Sequence, residues 1–231
     1  DKVGKGCTTT TQPPTYNCNS REVWTAAKKD WCCANTNQPP GTCGGLPPPP
    51  PSTCRIWGDP HIDTFDKGHA DFYGEGIKWI VKSADVSIQG RYKATPFTNG
   101  LAATNAVAIG GAFMKGHVLK VGPMENGQIT FDNKVILTSF GTYSAAGLGT
   151  VTYNDQGELV DGAMGHLKKH IVHMALPGGV AIGVMRWSNH INLRITMAPR
   201  PGQDGHCGNF NGNSGDDTTD AIRARIGMGV P

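Results

Sequence analysis

Short apolar runs separated by turn residues dominate the chain from residue 76 onward. The runs are rich in Val and Ile, and Gly, Pro, Asn or Asp bounds them, as is typical of β-strands joined by tight turns. The pattern predicts strands at residues 76–82, 85–92, 106–109, 117–121, 128–131, 135–137, 150–153, 158–160, 170–176, 179–187 and 190–197. These many short strands predict an all-β fold, an antiparallel β-sandwich, with a final short helix at residues 220–226.

The first 43 residues follow a helical pattern instead. Ser20 is a good N-cap, and Val23, Trp24, Ala27 and Trp31 follow at helical spacing. A helix this short is marginal in water, so disulfides from the cysteines at 32 and 33 are needed to hold it. We therefore predict a small disulfide-stapled helical unit at residues 1–43. Its two Trp side chains form a miniature core, with a docking face as the alternative.

A proline-rich segment separates this unit from the strands. Residues 44–53 contain five consecutive prolines, which favour a polyproline II spacer of roughly 15 Å. A proline-rich ligand for a groove-type domain is the alternative. The segment divides the chain into a Cys-rich module at 1–43, a linker at 44–53 and a β-domain at 54–231. Residues 1–17 are rich in Thr and Pro, and they are candidates for O-linked glycan.

Composition and charge narrow the class of function. The net charge of +3 is too small to argue for nucleic acid or an anionic membrane, and no apolar run is long enough for a membrane helix. The chain starts at Asp1 without Met, so it reads as a processed product or a fragment. Seven cysteines, five of them within the first 43 residues, indicate an oxidising, extracellular compartment.

The loop at residues 205–217 is a candidate cation site. Asn209, Asn211 and Asn213 alternate along it, and Asp216 and Asp217 follow after one more turn. Calcium takes 6–8 oxygen ligands, so this set of amide and carboxylate oxygens suits it better than zinc or copper. The alternative is a polar surface turn, because Asn, Gly, Asp and Ser are the commonest turn residues.

Two segments of the chain resemble the two ends of a von Willebrand factor type D domain. The first runs from Cys54 through Gly58-Asp59-Pro60-His61 to Thr64-Phe65-Asp66, and the second is Gly205-His206-Cys207-Gly208-Asn209-Phe210-Asn211-Gly212. Their order and spacing fit the family over residues 54–220. The cysteine-rich start of the chain lies outside the resemblance.

The resemblance implies that a disulfide and a metal ion join the two ends of the domain. It pairs Cys54 with Cys207, and it places one Ca²⁺ among the side chains of Asp66, Asn209, Asn211, Asp216 and Asp217 and the backbone carbonyl of Asn213. The family fold is itself a β-sandwich. No other cysteine lies between the two paired ones, whereas better-known members of the family carry several. One disulfide and the calcium would therefore hold the closure nearly alone.

The Asp59–Pro60 bond is a candidate for self-cleavage. The Asp59 side chain can attack its own peptide carbonyl through a five-membered ring, Pro60 nitrogen then leaves, and His61 is a candidate proton donor. Some relatives with this tetrapeptide break at the Asp-Pro bond, leaving a reactive anhydride. The alternative, which we favour, is that these residues form a tight turn beside the calcium site.

The other histidines give no convincing transition-metal site in the sequence. His170 and His173 are three apart on a predicted strand, and His69, His117, His166 and His190 are dispersed. Hydrolase and phosphate-binding motifs are also missing from the sequence.

The sequence therefore predicts a non-enzymatic, secreted, calcium-stabilised structural module of an extracellular filament, matrix, mucus or surface coat. Its partners would be other extracellular protein chains, including copies of itself. Three alternatives stay open. They are a self-processed crosslinkable fragment, the type D portion of a secreted enzyme, and a module that carries a lipid or another ligand.

Overall fold

The computed structural model describes residues 50–157 and 169–226, together with Tyr16, Thr25, Lys28, Trp31 and Cys32. The chain divides into two compact units, residues 1–49 and 50–231, and the division falls inside the predicted linker. The boundaries predicted for the module and linker otherwise stay predictions. Strand β1 begins at Ser52, so the last two residues assigned to the linker are already part of the β-domain.

Little of the first unit is described. Lys28, Trp31 and Cys32 are helical, and they fall within the predicted helix. The rings of Tyr16 and Trp31 meet edge to face at 6.0 Å, and Cys32 is disulfide-bonded. The proposed glycan sites at residues 1–17 and the other cysteines of this unit lie outside the described residues.

The second unit consists of two antiparallel sheets arranged as a sandwich. Its strands are β1 Ser52–Trp57, β2 His61–Asp63, β3 His69–Asp71, β4 Gly76–Lys82, β5 Ser87–Ala94, β6 Ala102–Gly110, β7 Leu119–Val121, β8 Ile129–Phe131, β9 Lys134–Leu137, β10 Gly141–Ala145, β11 Gly149–Asn154, β12 Ile171–Leu176, β13 Val180–Arg186 and β14 Ile191–Met197. Helix α1, Thr219–Ile226, follows them. The predicted all-β sandwich is confirmed.

The strand order explains how the two ends of the domain meet. One sheet has the order β10-β11-β12-β13-β14-β1-β2-β3, and the other has the order β4-β5-β6-β7-β8-β9. The first strand, β1, therefore pairs with the last strand, β14, and Cys54 lies opposite Ile195. This pairing brings the start of the domain beside the loop that leaves β14.

Alternating apolar side chains of both sheets fill the interior. Ile56, Val184 and Leu193 of the eight-stranded sheet and Ile88 and Ile109 of the six-stranded sheet are fully buried in one continuous core. This burial follows from the two-residue period of the strands, which turns every second side chain inward. The core therefore gives a firm base for the loops at its edge.

Most predicted strands are present with ends shifted by a few residues. Residues 76–82 form a strand with the predicted bounds, while residues 106–109 are the second half of the longer β6. The structure adds β10 within the glycine-rich stretch at 141–149, and the short pair β2 and β3. The strand predicted at 158–160 lies outside the described residues, and the predicted final helix is α1.

Candidate metal centre and the closure around it

A disulfide joins the two ends of the domain. Cys54 in β1 and Cys207, in the loop after β14, are bonded across 153 residues, with their Cα atoms 5.7 Å apart. Both residues are fully buried. The pairing implied by the family resemblance is confirmed. We call residues 203–217, which carry Cys207, the closing loop.

A bulge in β4 provides the backbone groups that hold the closing loop. The β4–β5 register shifts between Trp79 and Val81, so Ile80 is out of register. The Ile80 carbonyl accepts a hydrogen bond from Cys207 N–H at 3.0 Å, and the Trp79 carbonyl accepts one from His206 N–H at 2.9 Å. The bulge thus lets a sheet strand bind an irregular loop through its main chain.

His206 anchors the closing loop in the core. Its ring stacks on Phe72 with centroids 3.7 Å apart, and its Nδ1 lies 2.9 Å from the Tyr92 hydroxyl. Burial, helped by the charges of Lys78 and Arg223, lowers the pKa of His206 to about 3. The imidazole is therefore neutral at physiological pH, where its Nδ1 can accept a hydrogen bond from the Tyr92 hydroxyl.

Asp66 ties the β2–β3 turn to the closing loop. One carboxylate oxygen accepts the N–H of Asn211 at 2.9 Å, and the other accepts the N–H of Gly212 at 3.1 Å. The ring of the neighbouring Phe65 stacks on Phe210 at 4.8 Å. Asp66 is therefore joined by two hydrogen bonds to a part of the chain 145 positions later. Such contacts to a carboxylate are among the stronger hydrogen bonds.

The asparagine and aspartate side chains of the closing loop converge. Asp216 Oδ2 accepts hydrogen bonds from Asn209 Nδ2 at 3.1 Å and from Asn211 Nδ2 at 2.8 Å, and these donors lower the pKa of Asp216. Asn213 caps a short 3₁₀ turn, Ser214–Asp216, by accepting the N–H of Gly215 at 3.1 Å. We call Asp66, Asn209, Asn211, Asp216 and Asp217 the oxygen cluster.

Three oxygens of the oxygen cluster are buried without a hydrogen-bond partner in the described part of the chain. They are Asn209 Oδ1, Asp216 Oδ1 and Asp217 Oδ2. A buried polar atom of this kind is costly unless something pairs with it. Oxygen atoms of amide and carboxylate type are the ligands that Ca²⁺ takes. The residues present therefore fit the metal that the resemblance implies.

Asp217 carries the least favourable charge of the cluster. It is fully buried, and burial raises the pKa of its carboxyl, with the nearby charge of Asp66 acting in the same direction. A hydrogen bond from the Thr64 hydroxyl to the carboxylate opposes this rise, and so does Arg225 of α1, whose Nη2 donates to Asp217 Oδ1 at 3.2 Å. A cation beside the unpaired Oδ2 would relieve the same cost.

Gly208 leaves the room that the Asp217 carboxylate occupies. Its φ is +85°, and a Cβ on it would lie only 2.2 Å from Asp217 Oδ2. Any other residue would therefore be strained in its backbone and would displace the carboxylate. This glycine belongs to the cysteine-glycine-asparagine motif of the closing loop.

The sequence model of the von Willebrand factor type D domain matches residues 54–221, nearly three quarters of the chain. The chain belongs to this family. No curated protein sequence matches the chain. Type D domains are in general extracellular, non-enzymatic modules of protein–protein assembly. No described helix is both long and apolar enough to cross a membrane.

The segment proposed for self-cleavage forms the turn between β1 and β2. Asp59 Oδ1 lies 3.0 Å from His61 Nε2, and the Pro60 carbonyl accepts the N–H of Phe72 at 3.1 Å. The aspartate therefore lies beside its predicted proton donor, within a turn that is built into the sheet. The tight turn, which is the favoured alternative, is present, and cleavage of the Asp59–Pro60 bond stays an untested hypothesis.

Sequence reasoning missed two features of this region. Arg225, which donates to Asp217 and to the carbonyl of Asp216, lies in a helix predicted only as a short terminal element. His69, interpreted as one of the dispersed histidines, instead lies beside His61, with ring centroids 6.2 Å apart. The signal for the second feature was an alternation of His and Asp on either side of the Asp66 turn.

Proposed function

We propose that this type D domain is a secreted, calcium-stabilised structural and assembly module of an extracellular filament, matrix, mucus or surface coat. The observation that carries the proposal is a set of three buried oxygens, on Asn209, Asp216 and Asp217, that have no hydrogen-bond partner among the described residues, beside the disulfide that closes the domain. One bound Ca²⁺ would pair with all of them at once.

The ligands would come from both ends of the domain. Asp66 would contribute from the β2–β3 turn, and the other side chains of the oxygen cluster, with the backbone carbonyl of Asn213, from the closing loop. Bound Ca²⁺ would supply charge compensation: three carboxylates and one divalent cation leave a net charge of −1. Ca²⁺ bound only to the folded state raises stability by about 2.7 kcal/mol at one hundred times its Kd.

Two features support an assembly role for the module. The disulfide between Cys54 and Cys207 leaves five cysteines at residues 1–43, an odd number, so at least one of them has no partner within this set and can bond another chain. Apolar side chains are also exposed on strands at the sheet edges, namely Ile77 in β4 and Val135 in β9. Exposed edges of this kind favour pairing with other chains.

The described grooves favour a module over an enzyme. A polar surface groove of 720 Å³ is lined by residues that include Arg91, Lys93 and Asn105, rather than by apolar walls around convergent acid and base groups. The sandwich interior is filled by the core side chains, so it does not offer the open apolar groove expected of a lipid carrier.

Calcium-dependent unfolding of two charge-matched variants tests the proposal. Asp216→Asn keeps the shape of the side chain but removes a carboxylate from the oxygen cluster. Asp220→Asn removes the same charge four residues away, from a side chain that is 96% exposed. We expect Ca²⁺ to raise the Tm of the wild-type protein and of Asp220→Asn, and to raise that of Asp216→Asn much less.

Thermal unfolding in EDTA and in Ca²⁺ gives the measurement, with Mg²⁺ as a second control because it demands a smaller, octahedral site. An equal calcium effect on all three proteins would contradict the assignment of the site. A wild-type Tm that does not respond to Ca²⁺ would exclude calcium stabilisation altogether.

A further inference from the structure

A second group of potential metal-binding side chains lies on the β2–β3 ribbon, on the two strands that flank the turn carrying Asp66. The antiparallel register places His61 opposite Asp71 and Asp63 opposite His69. Residues two apart in a strand share a face, so all four side chains lie on one side of the ribbon. We call His61, His69 and Asp71 the histidine cluster.

Three potential ligand atoms of the histidine cluster face one another. His61 Nδ1 lies 2.6 Å and His69 Nε2 lies 3.3 Å from Asp71 Oδ1, and all three atoms are within 4.8 Å of one another. The two imidazole rings are nearly parallel, with an angle of 18° between their planes. Each histidine therefore directs one ring nitrogen at the same carboxylate oxygen.

The opposite nitrogen of each histidine faces a different carboxylate. His61 Nε2 lies 3.0 Å from Asp59 Oδ1, and His69 Nδ1 lies 3.2 Å from Asp63 Oδ1. Metal-binding histidines commonly donate their second N–H to a carboxylate, which fixes the tautomer and orients the ring. The same arrangement here would leave the lone pairs of His61 Nδ1 and His69 Nε2 facing Asp71.

We propose that His61, His69 and Asp71 bind one Zn²⁺ ion, with water in the remaining position. Two imidazoles and one carboxylate are a donor set that suits zinc, whereas Ca²⁺ prefers oxygen ligands alone. Zinc–nitrogen bonds of about 2.0–2.1 Å place tetrahedral ligand atoms roughly 3.3 Å apart, close to the distance between His69 and Asp71. The shorter His61–Asp71 distance must widen when the metal enters.

A backbone hydrogen bond holds the strand that carries Asp71, and the side chains of the histidine cluster are open to solvent. The backbone N–H of Asp71 donates to the Thr219 hydroxyl at 2.9 Å, which ties β3 to the start of α1. The side chains of His61, His69 and Asp71 are 34%, 53% and 32% exposed. A metal ion can therefore reach the ligands without unfolding the hairpin, and solvent can occupy the coordination position that they leave.

The chain contains a matched control for this site. His117 Nδ1 lies 2.6 Å from Asp132 Oδ2, and both side chains are about as exposed as those of the histidine cluster. This pair makes the same histidine–aspartate contact at the six-stranded sheet, between the loop before β7 and the β8–β9 turn. It has no second histidine among its described contacts, so it tests whether one exposed histidine–aspartate pair is enough to bind Zn²⁺.

Calorimetric titration with Zn²⁺, in buffer saturated with Ca²⁺, tests the inference separately from the calcium proposal. We expect one Zn²⁺ ion per chain for the wild-type protein and for His117→Gln. His69→Gln removes one ligand from an exposed position, and we expect it to weaken binding at least tenfold. Asp59→Asn, which leaves all three ligands in place, should weaken binding less because Asp59 only positions His61.

Trp57 provides a second readout that locates the metal. Its ring lies 5.8 Å from that of His61 and 6.2 Å from that of His69. Cu²⁺ quenches nearby tryptophan fluorescence, and it binds nitrogen and oxygen sites more tightly than Zn²⁺ does. We expect quenching that an excess of Zn²⁺ competes away and that is lost in Trp57→Phe, while Trp57→Phe still binds Zn²⁺.

Three outcomes would overturn the inference. The first is a wild-type protein that takes up no Zn²⁺, and the second is a folded His69→Gln variant that binds it as tightly as the wild type. The third is a His117→Gln variant that loses as much affinity as His69→Gln, since binding would then depend on exposed histidines in general. Circular dichroism in the same buffer establishes that each variant is folded.

Discussion

The oxygen cluster takes Asp66 from the turn of hairpin β2–β3, and the histidine cluster lies on the two strands of that hairpin, but the clusters are assembled in different ways. The oxygen cluster joins Asp66, in the hairpin turn, to side chains about 150 positions later in the chain. The histidine cluster joins residues within one eleven-residue segment. The oxygen cluster buries oxygens that have no hydrogen-bond partner in the described structure, whereas the histidine cluster exposes side chains that already pair with one another.

This difference separates two ways in which a cation can act on a protein. The oxygen cluster exists only while both ends of the domain are together, so a cation bound there stabilises the whole closed fold. The three ligands of the histidine cluster are close in sequence, so an unfolded chain can bring them together at a small entropic cost. Metal binding to the unfolded state reduces the gain in stability, so the hairpin site would mainly recruit a metal or a partner.

The largest expected effect comes from removing the covalent link beside the oxygen cluster. Cys54→Ala with Cys207→Ala opens a loop whose ends are 153 residues apart. We expect a loss of about 5 kcal/mol in the free energy of unfolding, from the added chain entropy of the unfolded state. Urea unfolding in saturating Ca²⁺ measures it.

The double variant should also bind Ca²⁺ more weakly, because the two halves of the oxygen cluster are then held together only by non-covalent contacts. Zinc affinity, in contrast, should change little. A variant that loses zinc affinity as strongly as calcium affinity would contradict the distinction between a long-range and a local site.

The next largest effect is a loss of folding stability at acidic pH. Burial holds the pKa of His206 at about 3, below its ordinary value of 6.5. Below about pH 6.5 the unfolded chain therefore binds a proton that the folded chain does not, and stability falls as the pH is lowered toward 3. The expected contribution is roughly 1.4 kcal/mol for each pH unit within that window.

His206→Gln loses the ring stacking on Phe72, so it should be less stable than the wild type at neutral pH. Its stability should also fall less steeply on acidification, because no buried imidazole remains. The slope of the unfolding free energy against pH, measured between about pH 5 and 6, should fall by about 1.4 kcal/mol per pH unit, which corresponds to nearly one proton. His117→Gln, which removes an exposed imidazole instead, serves as the control. Equal slopes for the wild type and His206→Gln would show that His206 is not held neutral by the fold.

The smallest expected effect is that of zinc on thermal stability. At one hundred times its own Kd, Zn²⁺ should raise the Tm by less than Ca²⁺ does at the same relative saturation, since the unfolded hairpin retains the zinc ligands. Differential scanning calorimetry in EDTA, Ca²⁺ and Zn²⁺ compares the two directly. A zinc shift equal to or larger than the calcium shift would reverse the proposed roles.

The sequence was most informative where a long pattern or a dense motif specified the structure. Strands such as β4 and β13 were predicted because several apolar residues repeat between clear turn signals. The disulfide between Cys54 and Cys207 was predicted from the resemblance of the motifs around them. In both cases, several neighbouring residues supported the same interpretation.

Shorter and more exposed elements escaped prediction for physical reasons. Strands β2 and β3 have three residues each, too few for an alternating pattern to be recognised. The edge strand β10 consists of small and polar residues that a buried strand would not have. Without β2 and β3 there is no register, so the alternation of His and Asp around Asp66 does not by itself place His69 beside His61.

The bond between Cys54 and Cys207 has a mechanical consequence for a module that is part of a longer filament. A pulling force that enters at the proline-rich segment and leaves through helix α1 passes from β1 to the closing loop directly through two sulfur atoms. The intervening stretch of chain, which contains nearly all of both sheets, lies outside that path of tension. Under load the sandwich would keep its shape, and extension would be confined to the segments on either side of it.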